Sequence, residues 1–209
     1  MALDKVSVAN RALGKIGSKK ISLFSEDSAS ARAINSCYDD MRDEVLTEFM
    51  WSFAQKRIVL ALTTDVPVMT EDGMAYVYSL PPDLLRVNYV SQPGATYRIE
   101  NGQFLSNVNG LKIIYTYRND DPSTYFALFT SALVTRIAAE ICFALTESVK
   151  KAEALAQLYR TVDLPNACSA DSQQGTPDQA NCDEWEFMRN MAGPINFVIP
   201  GQGVWHPVF

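Results

Sequence analysis

DPSTYFALFTSALVTRIAAEICFAL, from Asp121 to Leu145, decides the architecture of this chain. Phe126, Phe129, Leu133, Ile137, Ile141 and Leu145 recur at steps of three and four and so line one side of a helix. Ala132, Ala138, Ala139 and Ala144 let neighbouring helices approach closely. Asp121-Pro122 is a start signal, because aspartate accepts bonds from exposed amides and proline fits the first turn. The spacing predicts a core helix over 122–147. Its uncharged run, Pro122 to Thr135, is too short for a bilayer and is followed by Arg136 and Glu140.

Outward from this helix the same period returns three times. Downstream, Leu155, Leu158, Tyr159 and Val162 predict a helix over 149–163 that stops before Pro165. Upstream, Val6, Ala9, Leu13 and Ile16 mark a short helix over 3–16, ending near Gly14 or Gly17. Ile34, Cys37, Tyr38, Met41, Val45 and Phe49 mark a longer one over 28–49. Between the helix pairs the period changes to two. Tyr97 to Glu100 and Gln103 to Ser106 flank Asn101-Gly102, a pair suited to a type I′ hairpin turn. Leu111, Ile113, Tyr115 and Tyr117 alternate with Lys112, Ile114, Thr116 and Arg118. With Arg86 to Gln92, these segments predict one small antiparallel sheet of about four strands within 76–118. The expected class is α+β and mainly helical: a four-helix core, a small antiparallel sheet inserted between the helix pairs, and an extended C-terminal tail.

The chain has 209 residues, which fits one large domain or two small ones, and a formal charge of -6, which argues against a general affinity for DNA phosphates. Cys37, Cys142, Cys168 and Cys182 have neither a CxxC pattern nor zinc-ligand spacing, and reduced thiols are expected. Met1 to Lys5 lacks the basic and apolar segments of a secretion signal, so export by that route is not expected. No internal repeat is present.

From Pro165 the composition becomes loop-forming, and the sequence divides into a domain over 1–167 and an irregular segment over 168–209. Asp163 to Arg189 contains six acids and one base. Asn190 to Phe209 carries no formal charge, and Pro194, Pro200 and Pro207 exclude a membrane helix there. An uncharged, aromatic, kinked strap is suited to being covered by protein. Phe197, Ile199, Val204, Trp205 and Phe209 are its candidate partner-binding residues, each large side chain contributing about 1.5–3 kcal/mol if fully buried. The competing reading folds this strap onto its own core.

Catalytic chemistry has little to stand on. His206, the only histidine, lies three residues from the C-terminus, and no HExxH, Walker loop or GxGxxG occurs. Gly14-Lys15-Ile16-Gly17 reads as a helix end. No cofactor, metal site or catalytic residue is assigned. Paired carboxylates are the one enzymatic alternative, a glycan hydrolase using Asp39, Asp40, Asp43 and Glu44 with Asp120 and Asp121. On the helix over 28–49 these acids fall opposite the apolar stripe, where acids form a solvated face. A small helical binding module is a third reading.

Taken together, the segments resemble the tail tubular protein A family, head-to-tail adaptors of short-tailed bacteriophages. The resemblance covers roughly Leu3 to Ala167. It is carried by Val8-Ala9-Asn10-Arg11-Ala12-Leu13, Tyr38-Asp39-Asp40, Trp51-Ser52-Phe53-Ala54 with Arg57, and Tyr78-Ser79-Leu80-Pro81-Pro82-Asp83 with Arg86. The Ile113 to Tyr117 strand and the alanine-rich helix complete it. The resemblance implies a virion protein assembled in the host cytoplasm, a ring of twelve copies joining portal to tail nozzle and continuing the DNA ejection channel. Fibre attachment is a further implied possibility. Trp51 and Phe53 are expected to anchor the exit of the second helix, and Leu80 to Asp83 to stop a strand and cap a turn. Asp40 and Glu44 are candidate channel-facing acids, which would repel passing DNA without specific binding.

Overall fold

The structure is a computed structural model and describes residues 3–63 and 73–174. Helix α1 (Lys5–Ile16) starts where Asp4 accepts from the Ser7 amide at 2.8 Å. It ends at Gly17, whose φ of 77° lets the chain turn left-handed. Ser28 caps α2 (Ala29–Glu48) through the Ala31 amide. α3 (Ala127–Thr146) runs through the middle of the bundle, in contact with α1, α2 and α4 (Val149–Leu158). It is long and apolar enough to cross a membrane, but here it is the core helix, with Phe129, Leu133, Ile137 and Ile141 buried. The fold is α+β and mainly helical, as the periodicities indicate.

Three boundaries differ from the sequence reading. Asp121 and Pro122 do not start α3; Asp121 caps a separate 3-10 turn, Pro122–Thr124, and α3 begins after an extended Phe126. Pro165 does not end the fourth helix. The backbone widens to a π turn over Tyr159–Asp163, in which the Leu164 N–H bonds to the Tyr159 carbonyl, and α5 (Leu164–Ser172) continues from it. The wider turn accommodates the carbonyl that proline leaves without an amide. The border expected at 167/168 therefore falls inside α5, and the compact body reaches Gln174.

The sheet is also divided. Among the described residues there are two three-stranded antiparallel sheets, ordered β1-β6-β3 and β2-β5-β4. Their strands are β1 (Gln55–Val59), β2 (Tyr76–Ser79), β3 (Leu84–Val90), β4 (Tyr97–Glu100), β5 (Gln103–Ser106) and β6 (Lys112–Tyr117). The hairpin β4–β5 turns at Asn101 and Gly102, with φ of 48° and 71°, as a type I′ turn requires. Beyond it the pairing is long-range. β1, with exposed Lys56 and Arg57, has no marked alternation, yet it pairs along β6 from Gln55↔Thr116 to Val59↔Lys112. β6 buries Ile113 and Tyr115 with Leu60, Tyr78, Phe104 and Leu111 in a core of their own.

An aromatic neck joins sheet to helices. Trp51 is fully buried, its indole N–H donates to the Val45 carbonyl at 2.8 Å, and its ring meets Phe129 edge-on at 5.0 Å. Phe53 packs on Phe129 at 4.8 Å. The anchoring expected of Trp51 and Phe53 is what the packing contains. β2 stops at Ser79, and the Leu84 amide bonds back to Pro81 at 3.1 Å. Asp83 closes this turn differently from a cap: its carboxylate accepts from Lys56 at 2.6 Å and from the Tyr115 hydroxyl at 3.1 Å.

Candidate functional site

The polar face of α2 carries the densest charge in the described chain, and it is organised by a residue that belongs to the apolar stripe. Arg42 follows Tyr38 by one helical turn, and its side chain is only 3% exposed. Its guanidinium binds Asp43 through Nε at 2.9 Å and Nη2 at 2.8 Å, a two-pronged pairing. Nη1 also reaches Asp39 at 2.7 Å and Asp120 at 2.5 Å. Burial opposes the charge of Arg42, but the bond to Asp43 and the fields of Asp43, Asp120 and Asp39 outweigh it and raise its pKa. Arg118, from the end of β6, takes the other oxygen of Asp43 at 2.8 Å.

A second arginine serves the next acid. Arg136 on α3 holds both oxygens of Glu44, at 3.2 and 2.8 Å, and also bonds Glu140 at 3.0 Å. On the far side of α3, Lys15 donates to Thr135 at 2.5 Å, and Thr135 donates to Asp163 of the π turn. Tyr159 of the same turn donates to Glu48 at 2.5 Å, and burial together with that bond raises its pKa. The π turn thus faces a carboxylate, Asp163, and a neutral phenol, Tyr159, inward onto α1, α2 and α3.

The acids stay largely at the surface, as a solvated face requires, but most of them are paired. Asp43 and Glu44 are bound by arginines from three different elements, and Asp39, though 67% exposed, is bonded too. Glu44, 41% exposed, is an ion-pair partner of Arg136. Asp40 is exposed and makes no hydrogen bond or ion pair to another described residue. It borders a groove of about 330 Å³ between α2 and α3, with Cys37, Met41, Glu140, Ile141 and Ala144. Burial and the nearby Glu140 push the Cys37 thiol up to about 11, leaving it protonated and unreactive. Cys37, Cys142 and Cys168 are free thiols. Asp121 has its carboxyl held below the ordinary range by the Ser123 bonds of its capping turn.

A catalytic carboxylate pair needs one acid kept protonated beside one kept ionised. Asp43 and Glu44 are instead each engaged by arginines, Asp43 by Arg42 and Arg118 and Glu44 by Arg136. Among the described residues no group of three or more His, Cys, Asp or Glu side chains is placed to hold a metal ion. His206, Cys182 and the candidates Phe197, Ile199, Val204, Trp205 and Phe209 lie outside the described residues.

Large apolar side chains are exposed on both the helices and the strands. On the helices, Phe143, Val149, Leu158 and Val162 are exposed. On the sheets, Val59, Tyr89, Tyr97 and Ile99 are exposed, and all four residues of β4 face solvent. Arg42, Arg118 and Arg136 escaped the sequence reading. Only the i,i+4 step from Tyr38 to Arg42 was a local clue, pointing to a charge within the stripe.

No family model matches this chain, and no curated protein matches it.

Proposed function

We propose that this chain is a head-to-tail adaptor of a short-tailed bacteriophage, acting by assembly and without catalysis. Copies form a ring, of the twelve-membered kind the resemblance implies, between portal and tail nozzle, and the ring continues the channel through which DNA leaves. The observation that carries this reading is that large apolar side chains stay exposed both on the helices, at Phe143, Val149 and Val162, and on the strands, at Val59, Tyr89 and Ile99. A closed ring of identical chains needs heterologous contacts, so each subunit must present two different faces. Engagement of Asp43 and Glu44 by arginines further favours a structural protein over a glycan hydrolase.

The uncharged strap supplies the remaining contact, with Phe197, Ile199, Val204, Trp205 and Phe209 docking on the portal or on the neighbouring subunit. Imaging the purified chain mixed with portal tests the reading, and rings on the portal are expected. Deletion of 194–209 should weaken those complexes; unimpaired assembly would remove the strap from the account. Glycan cleavage by the parent that disappears in Asp39→Asn, Asp40→Asn and Glu44→Gln variants would replace the adaptor with the enzyme.

A further inference from the structure

The outer face of the β1-β6-β3 sheet has a definite pattern. Arg57 lies opposite Ile114 on β6, and Tyr89 lies opposite Ile114 on β3, so the three share one face. Val59 and Lys112 form the next row of that face. The intervening row, Ile58, Ile113 and Val90, turns inward to the sheet core. Val59 and Tyr89 are 59% and 60% exposed. A cleft of about 250 Å³ lies among Arg57, Val59, Lys112 and Ile114. The face is therefore apolar at its centre with cations beside it, the layout of a protein contact.

Those cations have no partner among the described residues. Neither Arg57 nor Lys112 makes an ion pair or side-chain hydrogen bond to a described residue, unlike Lys56, which binds Asp83. Distance explains this. β6 meets α2 where Arg118 binds Asp43, and Lys112 is six residues back along the strand, roughly 20 Å away. That is beyond the screening length in physiological salt, about 8 Å, so the acids of α2 do not neutralise this end of the sheet.

The complementary surface is on the same chain. The α2–α3 groove is lined by the apolar Met41, Ile141 and Ala144 and by two acids, Asp40, unpaired among the described residues, and Glu140, 47% exposed and already bonded to Arg136 through one oxygen. It matches the sheet face in size class and opposes it in sign. Because the two belong to different elements, joining them between copies produces a heterologous, propagating contact, the kind a ring requires.

We propose that the outer face of the β1-β6-β3 sheet of one copy seats on the α2–α3 groove of the adjacent copy, with Arg57 and Lys112 facing Asp40 and Glu140. The proposal rests on the adaptor reading and names the subunit contact within it. It also assigns Asp40 to the seam between subunits, where an unpaired acid gains a cation.

Charge exchange tests it on the full-length chain. Self-association is measured by sedimentation, and ring formation by imaging with portal, at low and high salt. Arg57→Glu with Lys112→Glu, and separately Asp40→Lys with Glu140→Gln, should each weaken self-association about tenfold or more. The neutral pair Arg57→Gln with Lys112→Gln should weaken it less, and all are checked for an unchanged melting curve. Carrying both charge exchanges in one chain should restore association. Parent-like association of every variant, with rings intact, overturns the contact and leaves the adaptor reading standing. Variants that lose portal binding while self-association is unchanged assign the face to the portal and overturn the proposal. A parent that neither self-associates nor forms rings with portal present overturns contact and adaptor reading together.

Discussion

Asp171, in the last turn of α5, accepts hydrogen bonds from both the amide of Ser52 at 2.9 Å and its hydroxyl at 2.7 Å, across 119 residues of chain. The carboxylate is buried and caps the 3-10 turn Ser52–Ala54 that leads from the helical body into β1. The end of the described chain is thereby tied to the neck. Asp171→Ala leaves the Ser52 amide and hydroxyl without this partner and should cost about 2 kcal/mol, whereas Asp171→Asn, which keeps an acceptor, should cost less. Urea unfolding of the three proteins measures both, and equal stabilities would show that the tie is dispensable.

Arg42 presents the opposite case, a buried cation whose removal strands its acids. Arg42→Met keeps the volume but leaves Asp43, Asp39 and Asp120 facing one another without their shared cation. Because Asp39 and Asp120 are largely exposed and only Asp43 is mostly covered, removing the shared cation should cost about 2 kcal/mol. Asp39→Asn, at an exposed position, should cost under about 1 kcal/mol. Thermal melts of the two variants should differ in that order.

Asp83 links stability to acid. Burial raises its pKa, but the bonds from Lys56 and Tyr115 outweigh burial and hold it below the ordinary carboxylate value. A depressed folded pKa stabilises the native state above the unfolded pKa, and this contribution disappears as pH falls through the folded value. Asp83→Asn should therefore be less stable than the parent at neutral pH, and the gap should narrow below about pH 4. A gap independent of pH would remove the Lys56–Asp83 pair from the account.

The Tyr115 end of the same contact titrates in alkali. Burial, and then the bond to Asp83, push its phenol up to about 12. Its unfolded counterpart ionises near pH 10, so this group's contribution weakens as pH rises from about 10 to 12. Tyr115→Phe should abolish that part of the alkaline loss, read by denaturation at stepped pH.

Trp51 tests the neck. Trp51→Phe removes the donor to the Val45 carbonyl and leaves space beside Phe129, at an expected cost of about 1–3 kcal/mol. A stable variant with unchanged chemical-denaturation midpoint would place the strength of the neck elsewhere.

The four helical stretches and the β4–β5 hairpin were legible because their signals are local. Phe129, Leu133 and Ile137 announce a buried face at helical spacing, and Asn101-Gly102 supplies the backbone conformation its turn needs. Helix ends were less legible. Pro165 reads as a stop in any local rule, yet the Lys15, Thr135 and Asp163 contacts and the Tyr159–Glu48 bond hold the chain helical through a π turn beside it.

By itself the sequence determined the α+β class, the apolar face of each helix, the alternation of β6 and the hairpin, since each depends on residues two to four positions apart. Only the tertiary structure decided which acids are paired, how the strands divide between two sheets and which sheet face lies open. Arg118 finds Asp43 across 75 residues and Arg136 finds Glu44 across 92. Such partners share no local period; they meet because burying the helical and sheet cores brings distant segments together.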